Sequence, residues 1–437
     1  LLITNYKLPA TSPRNPNQLP TTMAIIRPFK GIRPKKELVE KIASKPYDVL
    51  NEKEARAEAA GNNLSFYHVI KPEIDFPDGY NVYAPEIYTK GKSNFDRMVQ
   101  DGVFFKDKTD CLYIYAQTMK GRRQFGIVAA AAVDDYFNDI IKKHELTRPD
   151  KEEDRKNHVR VSKLNYEPVF FAYPNVPALD KIVAGVVQAP AEYDFTADDG
   201  IRHEFWVISD GATVNQMVDL FAGIPATYVA DGHHRTAAAA LVGQELRKAK
   251  PDYSGKESFN FFLAVHFPDN QLAIMDYNRV VKDLNGLSNE QFLDSLRKSF
   301  LVETVGAAAY RPARLHEFSM YLDGQWYKLT AKTGTYDDAD PIGVLDVTVL
   351  SKQILEPILG IQDLRTDKRI DFVGGLRGLG ELERRVNSGE MKVAFALYPV
   401  TMKQLIDISD SGKIMPPKTT WFEPKLRSGL ILHSLED

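Results

Sequence analysis

Apolar and polar residues change their spacing repeatedly along the chain, from the alternation typical of half-buried strands to the three-and-four spacing of amphipathic helices. This interleaving predicts a mixed α and β protein. For region 111–285 the pattern predicts strands at 111–117, 124–133, 167–173, 203–209, 226–230 and 259–267, helices at 151–160, 212–222 and 235–248, and an irregular surface insertion at 186–202.

The flanking regions show the same mixture. Two capping boxes predict helix starts, because Asn51 is followed by Glu54 and Ser288 by Gln291 at the required three-residue distance. The remaining predicted elements are a helix near 35–43, a tight turn at 45–49, strands near 317–330, helices near 344–358 and 377–388, a strand at 393–397 and a helix at 401–409. We therefore divide the chain into regions 23–110, 111–285 and 286–437.

One segment combines a strand, a turn and a helix. Residues 227–230 are β-prone, Asp231-Gly232 is a turn signal, and Arg235 begins an alanine-rich run that strongly favours a helix. The first turn of a helix presents unpaired backbone N–H groups at the positive end of the helix dipole, which makes an anion site. Gly232 would let a phosphate approach the backbone closely.

The polar side chains of this segment fit the same chemistry. Arg235 can hold phosphate oxygens in a forked contact, and His233 and His234 add donors. The plain alternative is an ordinary helix start with Asp231 as the cap and solvated histidines. A zinc site is a further alternative, but adjacent histidines do not easily bind one metal ion and no cysteine supports them.

Three other segments carry candidate chemistry. In 142–148, Glu145 could serve as a general base, although a solvated helix end is the plain alternative. In 413–420, a lysine and two threonines stand on a proline-stiffened loop, which suits a phosphate contact as well as it suits a surface turn. In 276–281, a tyrosine and Arg279 interrupt a strand-like stretch, which favours structural pairing.

Composition excludes some classes of function. Hydrophobic residues make up 43% and charged residues 26% of 437, an ordinary globular composition. The net charge of −3 gives no global electrostatic argument for nucleic acid binding. No run of eighteen apolar residues exists, so no membrane span is predicted. The single cysteine, Cys111, cannot form an internal disulfide, which favours a reducing compartment, and its apolar surroundings favour a buried structural thiol.

The first 22 residues differ from the rest. They contain four prolines and no acidic residue, and they lack the apolar core of a secretory signal. Met23 begins a new pattern. We therefore predict that Met23 is the biological start and that residues 1–22 are a disordered extension that is not native; a transit peptide is the weaker alternative.

The motifs together resemble a known family. Ala230–Arg235, Lys143–Thr147, Lys45–Val49 and Pro417–Lys425 look like the bacterial family catalogued as domain of unknown function 1015, from Met23 onward. The chain is also similar to the free serine kinases of the ParB/sulfiredoxin-like superfamily. Three landmarks follow in the same order: a His-Glu pair, an Asp-Gly-His-His-Arg box and a Pro-Lys-Thr-Thr stretch. About eighty residues separate Glu145 from Asp231 in this chain, far more than in the small kinases.

The resemblance implies a fold and a set of site residues. The fold would be α+β, with a ParB/sulfiredoxin-like mixed-sheet core in 111–285 and additional N-terminal and C-terminal α/β regions. The implied catalytic residues are Glu145, Asp231 and His233. The implied phosphate or nucleotide contacts are Gly232, His234, Arg235, Lys418, Thr419 and Thr420. Supporting roles fall to His144, Arg148 and Arg279, and no residue is assigned as a metal ligand.

The resemblance also implies an activity. The protein would be a cytoplasmic kinase that moves a phosphoryl group from ATP or ADP, with Mg²⁺, to a small hydroxyl acceptor such as L-serine. A ParB-like switch that binds and hydrolyses a nucleotide and acts on DNA or a protein partner is the alternative. The acidic net charge and the lack of an evident helix-turn-helix argue against DNA. Sulfiredoxin chemistry is not supported, because Cys111 lies outside the box.

Overall fold

The computed structural model describes residues 23–437, so the predictions about 1–22 lie outside the described residues. This part of the chain forms two compact units. The first contains 23–142, 147–269 and 426–437, and the second contains 143–146 and 270–425. Both units combine strands with helices, which confirms the α+β class. The predicted regions 23–110 and 111–269 share the first unit, and the three-region division stays a prediction.

The strands, in chain order, are β1 Ile26–Arg27, β2 Ile32–Pro34, β3 Phe104–Lys106, β4 Leu112–Met119, β5 Arg122–Ala132, β6 Ile141–Lys142, β7 Leu164–Asn165, β8 Val169–Tyr173, β9 Tyr193–Thr196, β10 Arg202–Ile208, β11 Thr227–Asp231, β12 Phe261–Pro268, β13 Tyr277–Val281, β14 Phe300–Gly306, β15 Glu317–Leu322, β16 Gln325–Ala331, β17 Ile370–Gly374, β18 Val393–Leu397 and β19 His433–Ser434.

The α-helices, in the same order, are α1 Val39–Ile42, α2 Glu52–Ala59, α3 Tyr67–Ile70, α4 Pro85–Gln100, α5 Val133–Phe137, α6 Pro149–Ser162, α7 Pro177–Val186, α8 Gly211–Phe221, α9 His233–Ala249, α10 Asn289–Leu296, α11 Asp346–Leu350, α12 Gly378–Asn387 and α13 Met402–Asp410. Short 3₁₀ turns lie at Lys36–Leu38, Pro72–Asp75, Ser258–Asn260, Asp269–Gln271 and Gly375–Arg377, and a π-helical stretch at Ser351–Leu355.

A mixed sheet organises the first unit. Its strand order is β6-β11-β8-β12-β5-β4-β10-β9, with β1 beside β5. Strand β11 runs parallel to β6 and antiparallel to β8, and its register shifts between Val229 and Asp231. Such an irregularity bends a strand and changes the direction of the residues that follow. It therefore sets the point at which the chain leaves the sheet at Asp231.

Helix α9 packs closely against this sheet because its inner face is made of small residues. Ala237 to Ala240 are buried, and Ala239 and Ala240 lie in one apolar cluster with Phe262 of β12. A Cβ atom added at Gly243 would lie 2.6 Å from the carbonyl oxygen of Phe259. A larger residue at this position would push the helix away from the chain that leads into β12.

A second sheet organises the second unit, with the antiparallel order β14-β16-β15-β18-β13-β17. Strand β13 pairs with β17 on one side and β18 on the other, so Arg279 lies in the interior of this sheet opposite Phe372 and Phe395. Helix α10 begins with the predicted capping box of Ser288 and Gln291, and α2 begins with that of Asn51 and Glu54.

The fold corrects the prediction in several places, and strands β14 and β17 were not predicted. The segment 186–202 is not wholly irregular, because strand β9 lies in it and pairs with β10. Helices α4 and α7 were not predicted, and each begins with a proline at its first position. Residues 142–148 are not a helix end: β6 ends at Lys142, and α6 begins only after Arg148.

Candidate functional site

The strand, turn and helix predicted around Asp231 are confirmed. Strand β11 ends at Asp231, α9 begins at His233, and Gly232 between them is the N-cap. Gly232 has φ 93° and ψ 38°, a left-handed conformation that glycine adopts without steric cost. Its carbonyl accepts the backbone N–H and the hydroxyl of Thr236, both at 2.9 Å. The N-cap is therefore Gly232 and not Asp231, and no side chain of the described residues caps the helix.

Arg235 is held inside the first unit. Only 6% of the residue is exposed; its Nη1 donates to the Pro168 carbonyl and its Nη2 to Asp231 Oδ2, both at 2.6 Å. Burial would lower the pKa of Arg235, but Asp231 and other acidic neighbours raise it above its usual value. The guanidinium thus remains charged and stabilises the turn through its hydrogen bond to Asp231. Its forked contact with a phosphate stays a prediction, because both terminal nitrogens bind the protein itself.

His234 joins the starts of two helices. Its Nε2 accepts the backbone N–H of Arg148 at 2.9 Å, and Arg148 is the N-cap of α6. Burial lowers the pKa of His234, so the ring is neutral at pH 7. An Nε2 that accepts a hydrogen bond carries no proton, which places the proton on Nδ1. The positive ends of the α6 and α9 dipoles therefore lie side by side.

The other side chains at these helix starts are arranged differently. His233 is buried at the first position of α9. The Arg148 guanidinium is 69% exposed and pairs with Asp150 at 2.8 Å. Arg148 thus contributes its backbone to the helix junction, while its charge is partly neutralised at the surface.

Tyr47 and Asp48 lie near the turn, and neither residue was predicted to have a role in the site. Asp48 is exposed. Its negative charge raises the pKa of His234 and of Arg235, whereas burial acts on each pKa in the opposite direction. The neighbouring Tyr47 ring stacks on the Arg155 guanidinium at 3.8 Å, and its N–H donates to Glu167 Oε1 at 3.0 Å. The signal was present in Lys45–Val49, which carried the resemblance but received no role.

A cavity lies beside these residues in the first unit. Its wall includes Arg155, Glu167 and Arg235. The buried Tyr166 hydroxyl also lines it and has no hydrogen-bond partner within residues 23–437. Buried polar atoms of this kind are ordinarily satisfied by water or a ligand.

In the second unit, the structure brings two of the predicted landmarks together. His144 is buried, and its Nε2 lies 3.2 Å from the Thr420 hydroxyl. The His144 carbonyl accepts the N–H of Met415 at 2.9 Å. Burial lowers the pKa of His144 to about 4, so the ring is neutral at pH 7. Glu145, the next residue, is exposed.

The Pro-Lys-Thr-Thr loop is fixed by Arg279. The Lys418 carbonyl accepts Arg279 Nη2 at 2.9 Å, and Lys418 has φ 58°. Its ammonium lies 5.7 Å from the centre of the Tyr277 ring. The Thr419 hydroxyl donates to the Pro416 carbonyl at 2.6 Å, which closes the loop on itself. Lys418 is exposed at the tip of this turn, while Thr419 is buried.

A metal site and a reactive thiol are two further kinds of site that the described part of the chain could contain. Among residues 23–437, no group of three or more His, Cys, Asp or Glu side chains is placed to hold a metal ion. Cys111 is buried, and burial raises the pKa of its thiol. A thiol with a raised pKa is a poor nucleophile at neutral pH.

The family described as "Protein of unknown function (DUF1015)" matches residues 26–348. The chain belongs to this family. This membership confirms the first part of the resemblance and extends across both units. Membership of the ParB/sulfiredoxin-like superfamily stays a prediction. No curated protein matches the chain.

Solved structures also resemble the chain, at low similarity. A glutamate-to-alanine variant of a free serine kinase in complex with AMP is 13% identical, with a TM-score of 0.34, and covers 68% of this chain and 86% of its own. The same kind of variant in complex with ADP is 14% identical, with a TM-score of 0.32 and coverages of 68% and 87%. A conserved hypothetical protein from Pyrococcus furiosus is 14% identical, with a TM-score of 0.31 and coverages of 69% and 93%. Such scores are too low to transfer an activity to this family member.

Within the described range 23–437, no helix is both long and apolar enough to cross a membrane.

Proposed function

We propose that this protein is a nucleotide-dependent kinase that phosphorylates a small hydroxyl acceptor, with free L-serine as the acceptor and O-phosphoserine as the product. The observation that carries the proposal is the junction of α6 and α9 at Gly232. Two helix starts joined through His234 bring the positive ends of two helix dipoles together. Phosphate groups bind at such points in many proteins.

The donor nucleotide would place its phosphates over the Asp231–Arg235 turn. Backbone N–H groups of the first turn of α9 would bind the phosphate oxygens, and His233 and His234 would add donors. Arg235 would keep the turn in shape through its bond to Asp231. Lys418, Thr419 and Thr420 would contact the donor from their loop.

The residues at the turn fit Mg²⁺, the usual companion of a nucleotide in kinases. Asp231 supplies carboxylate oxygens there, and Mg²⁺ is commonly held by one or two carboxylates together with substrate phosphates. When bound, the ion would neutralise charge on the phosphates. Asp231 would then hold the ion while its Oδ2 remains bonded to Arg235.

Glu145 would act as the general base. Its carboxylate would take the proton of the acceptor hydroxyl, the oxygen would form a bond to the terminal phosphorus, and the bond to the leaving nucleotide would break. ATP would leave as ADP, and ADP would leave as AMP. Glu145 is exposed, and it stands three positions before Arg148 in the sequence.

A product screen tests this proposal. Purified protein would be incubated with Mg²⁺, one nucleotide at a time and pooled amino acids, and the products would be read by mass spectrometry. We expect O-phosphoserine together with ADP or AMP. Nucleotide hydrolysis that does not depend on serine would contradict the kinase and favour the nucleotide switch instead.

A further inference from the structure

Arg279 is an unusual charge in the second unit. It is 1% exposed in the interior of the sheet, and its hydrogen bonds go to the carbonyls of Tyr277 and Lys418. Its guanidinium also lies 5.4 Å from the centre of the Phe372 ring. Buried charges are ordinarily paired with an opposite charge, because burial without one is costly.

No such partner is found in the part of the chain that the structure describes. Burial lowers the pKa of Arg279 to about 10. The nearby carboxylate Asp276 is bonded to Asn278 and Arg311 instead. Arg279 Nε has no hydrogen-bond partner among residues 23–437. Arg279 is thus a buried positive charge that lacks a carboxylate partner among the described residues, and it contacts the Lys418 loop.

The peptide between Lys418 and Thr419 connects this charge to the surface. Its carbonyl accepts Arg279 Nη2 at 2.9 Å. The peptide is trans, so its N–H points away from its carbonyl and hence away from Arg279. Lys418, whose backbone is left-handed at φ 58°, adds an exposed ammonium at the same turn. Backbone N–H groups at turns can form anion-binding concavities.

We infer that Arg279 is a positioning residue for an anion site at the Lys418–Thr419 peptide, and that a phosphoryl group of the ligand supplies its missing counter-charge. The identity of the anion rests on the proposed function. Arg279 does not touch the ligand in this arrangement; it orients the peptide and contributes its charge through it.

The size of the effect follows from geometry. One hydrogen bond to the carbonyl, the width of a peptide and one N–H···O bond place the anion roughly 8 Å from the guanidinium. At that distance, with an effective dielectric constant of about 20, one unit of charge changes anion binding roughly 30-fold.

Binding of inorganic pyrophosphate by calorimetry tests the inference without phosphoryl transfer. We expect Arg279→Gln to weaken binding roughly 30-fold, whereas Arg279→Lys, which keeps the charge but not the fork, should stay within about threefold of the parent. Lys413→Gln is the matched control, since this lysine of the same loop is neutralised by Asp340 at 2.7 Å. It should bind pyrophosphate like the parent.

Each other outcome overturns the inference. Unchanged affinity in Arg279→Gln would show that the charge does not contribute to binding. Equal losses of affinity in Arg279→Gln and Arg279→Lys would show that only the hydrogen bonds of the guanidinium matter, and not its charge. A parent that does not bind pyrophosphate has no such site. If Arg279→Gln fails to fold, Arg279→Met, which also removes the charge, takes its place: a loss of affinity with near-parental binding in Arg279→Lys supports the charge, and parental affinity in Arg279→Met opposes it. A result of this kind is separate from the kinase proposal, because a protein without kinase activity can still bind pyrophosphate at the Lys418–Thr419 peptide.

Discussion

Gly232→Ala is expected to destabilise the first unit and to weaken nucleotide binding. The added methyl group would lie 3.0 Å from Arg235 Nε and Nη2 and 3.1 Å from its Cζ. The guanidinium cannot move away freely, because it is held by the Pro168 carbonyl and Asp231. The substitution also forces alanine into a backbone with φ 93°. Both effects act at the point where we expect the phosphates to bind.

The expected loss of stability is the sum of these two effects. A non-glycine residue in the left-handed region costs about 1–2 kcal/mol. Weakening a hydrogen bond to a charged group costs about 1.5–3 kcal/mol. Gly121→Ala is the matched control, since Gly121 has φ 79° and no atom within 4 Å of its added Cβ. We therefore expect a loss of about 2.5–5 kcal/mol for Gly232→Ala and about 1–2 kcal/mol for Gly121→Ala.

Urea denaturation and calorimetric titration with Mg²⁺ and a non-hydrolysable ATP analogue would measure the two consequences. Gly232→Ala should lower nucleotide affinity at least tenfold, about 1.4 kcal/mol, while Gly121→Ala leaves it unchanged. Equal stability losses in the two variants would show that the Arg235 contact contributes nothing. Parental nucleotide affinity in Gly232→Ala would refute the placement of the phosphates at this turn.

Three further predictions concern single side chains. Glu145→Gln should keep the fold and the nucleotide affinity but lower turnover roughly a hundredfold or more, as steady-state kinetics would show; activity within a few-fold of the parent would exclude it as the base. Lys418→Ala should raise the KM for the nucleotide with little change in melting temperature, in contrast to an unaffected Lys413→Ala; a stability loss at constant affinity would make the loop merely structural. The pKa of His144 is lowered to about 4 by burial, so the unfolded chain binds its proton first as the pH falls below about 6.5. Stability should therefore decline between pH 6.5 and 4, and His144→Gln should remove up to about 3 kcal/mol of that decline in acid denaturation curves; identical curves would show that His144 does not titrate in this way.

Short-range signals predicted the local structure of the site. Asp231-Gly232 and the alanine run that follows are sufficient to predict a strand end, a turn and a helix, because glycine and alanine act on their immediate backbone. The capping boxes at Asn51 and Ser288 were equally local and are confirmed. The missed start of α7 had a local signal too, since Pro177 occupies the first helical position.

Partners distant in the sequence could not be predicted in the same way. The Pro168 carbonyl that binds Arg235 lies 67 residues away, and the Arg148 N–H that binds His234 lies 86 residues away. The bond between Arg279 and the Lys418 carbonyl spans 139 residues. These pairs depend on the strand order of each sheet, which the hydrophobic pattern does not contain. For this reason the sequence did not reveal that Arg235 binds the Pro168 carbonyl and Asp231.

Serine-dependent phosphoryl transfer is the most direct test of the proposed kinase activity. Purified protein would be supplied with Mg²⁺ and ATP or ADP, with L-serine or with L-alanine, which lacks the hydroxyl, and the parent would be compared with Glu145→Gln. With serine only, we expect O-phosphoserine in amounts equal to the ADP or AMP released, and at least a hundredfold less from Glu145→Gln. Release of ADP or AMP at the same rate with serine and with alanine, without phosphoserine, would contradict it.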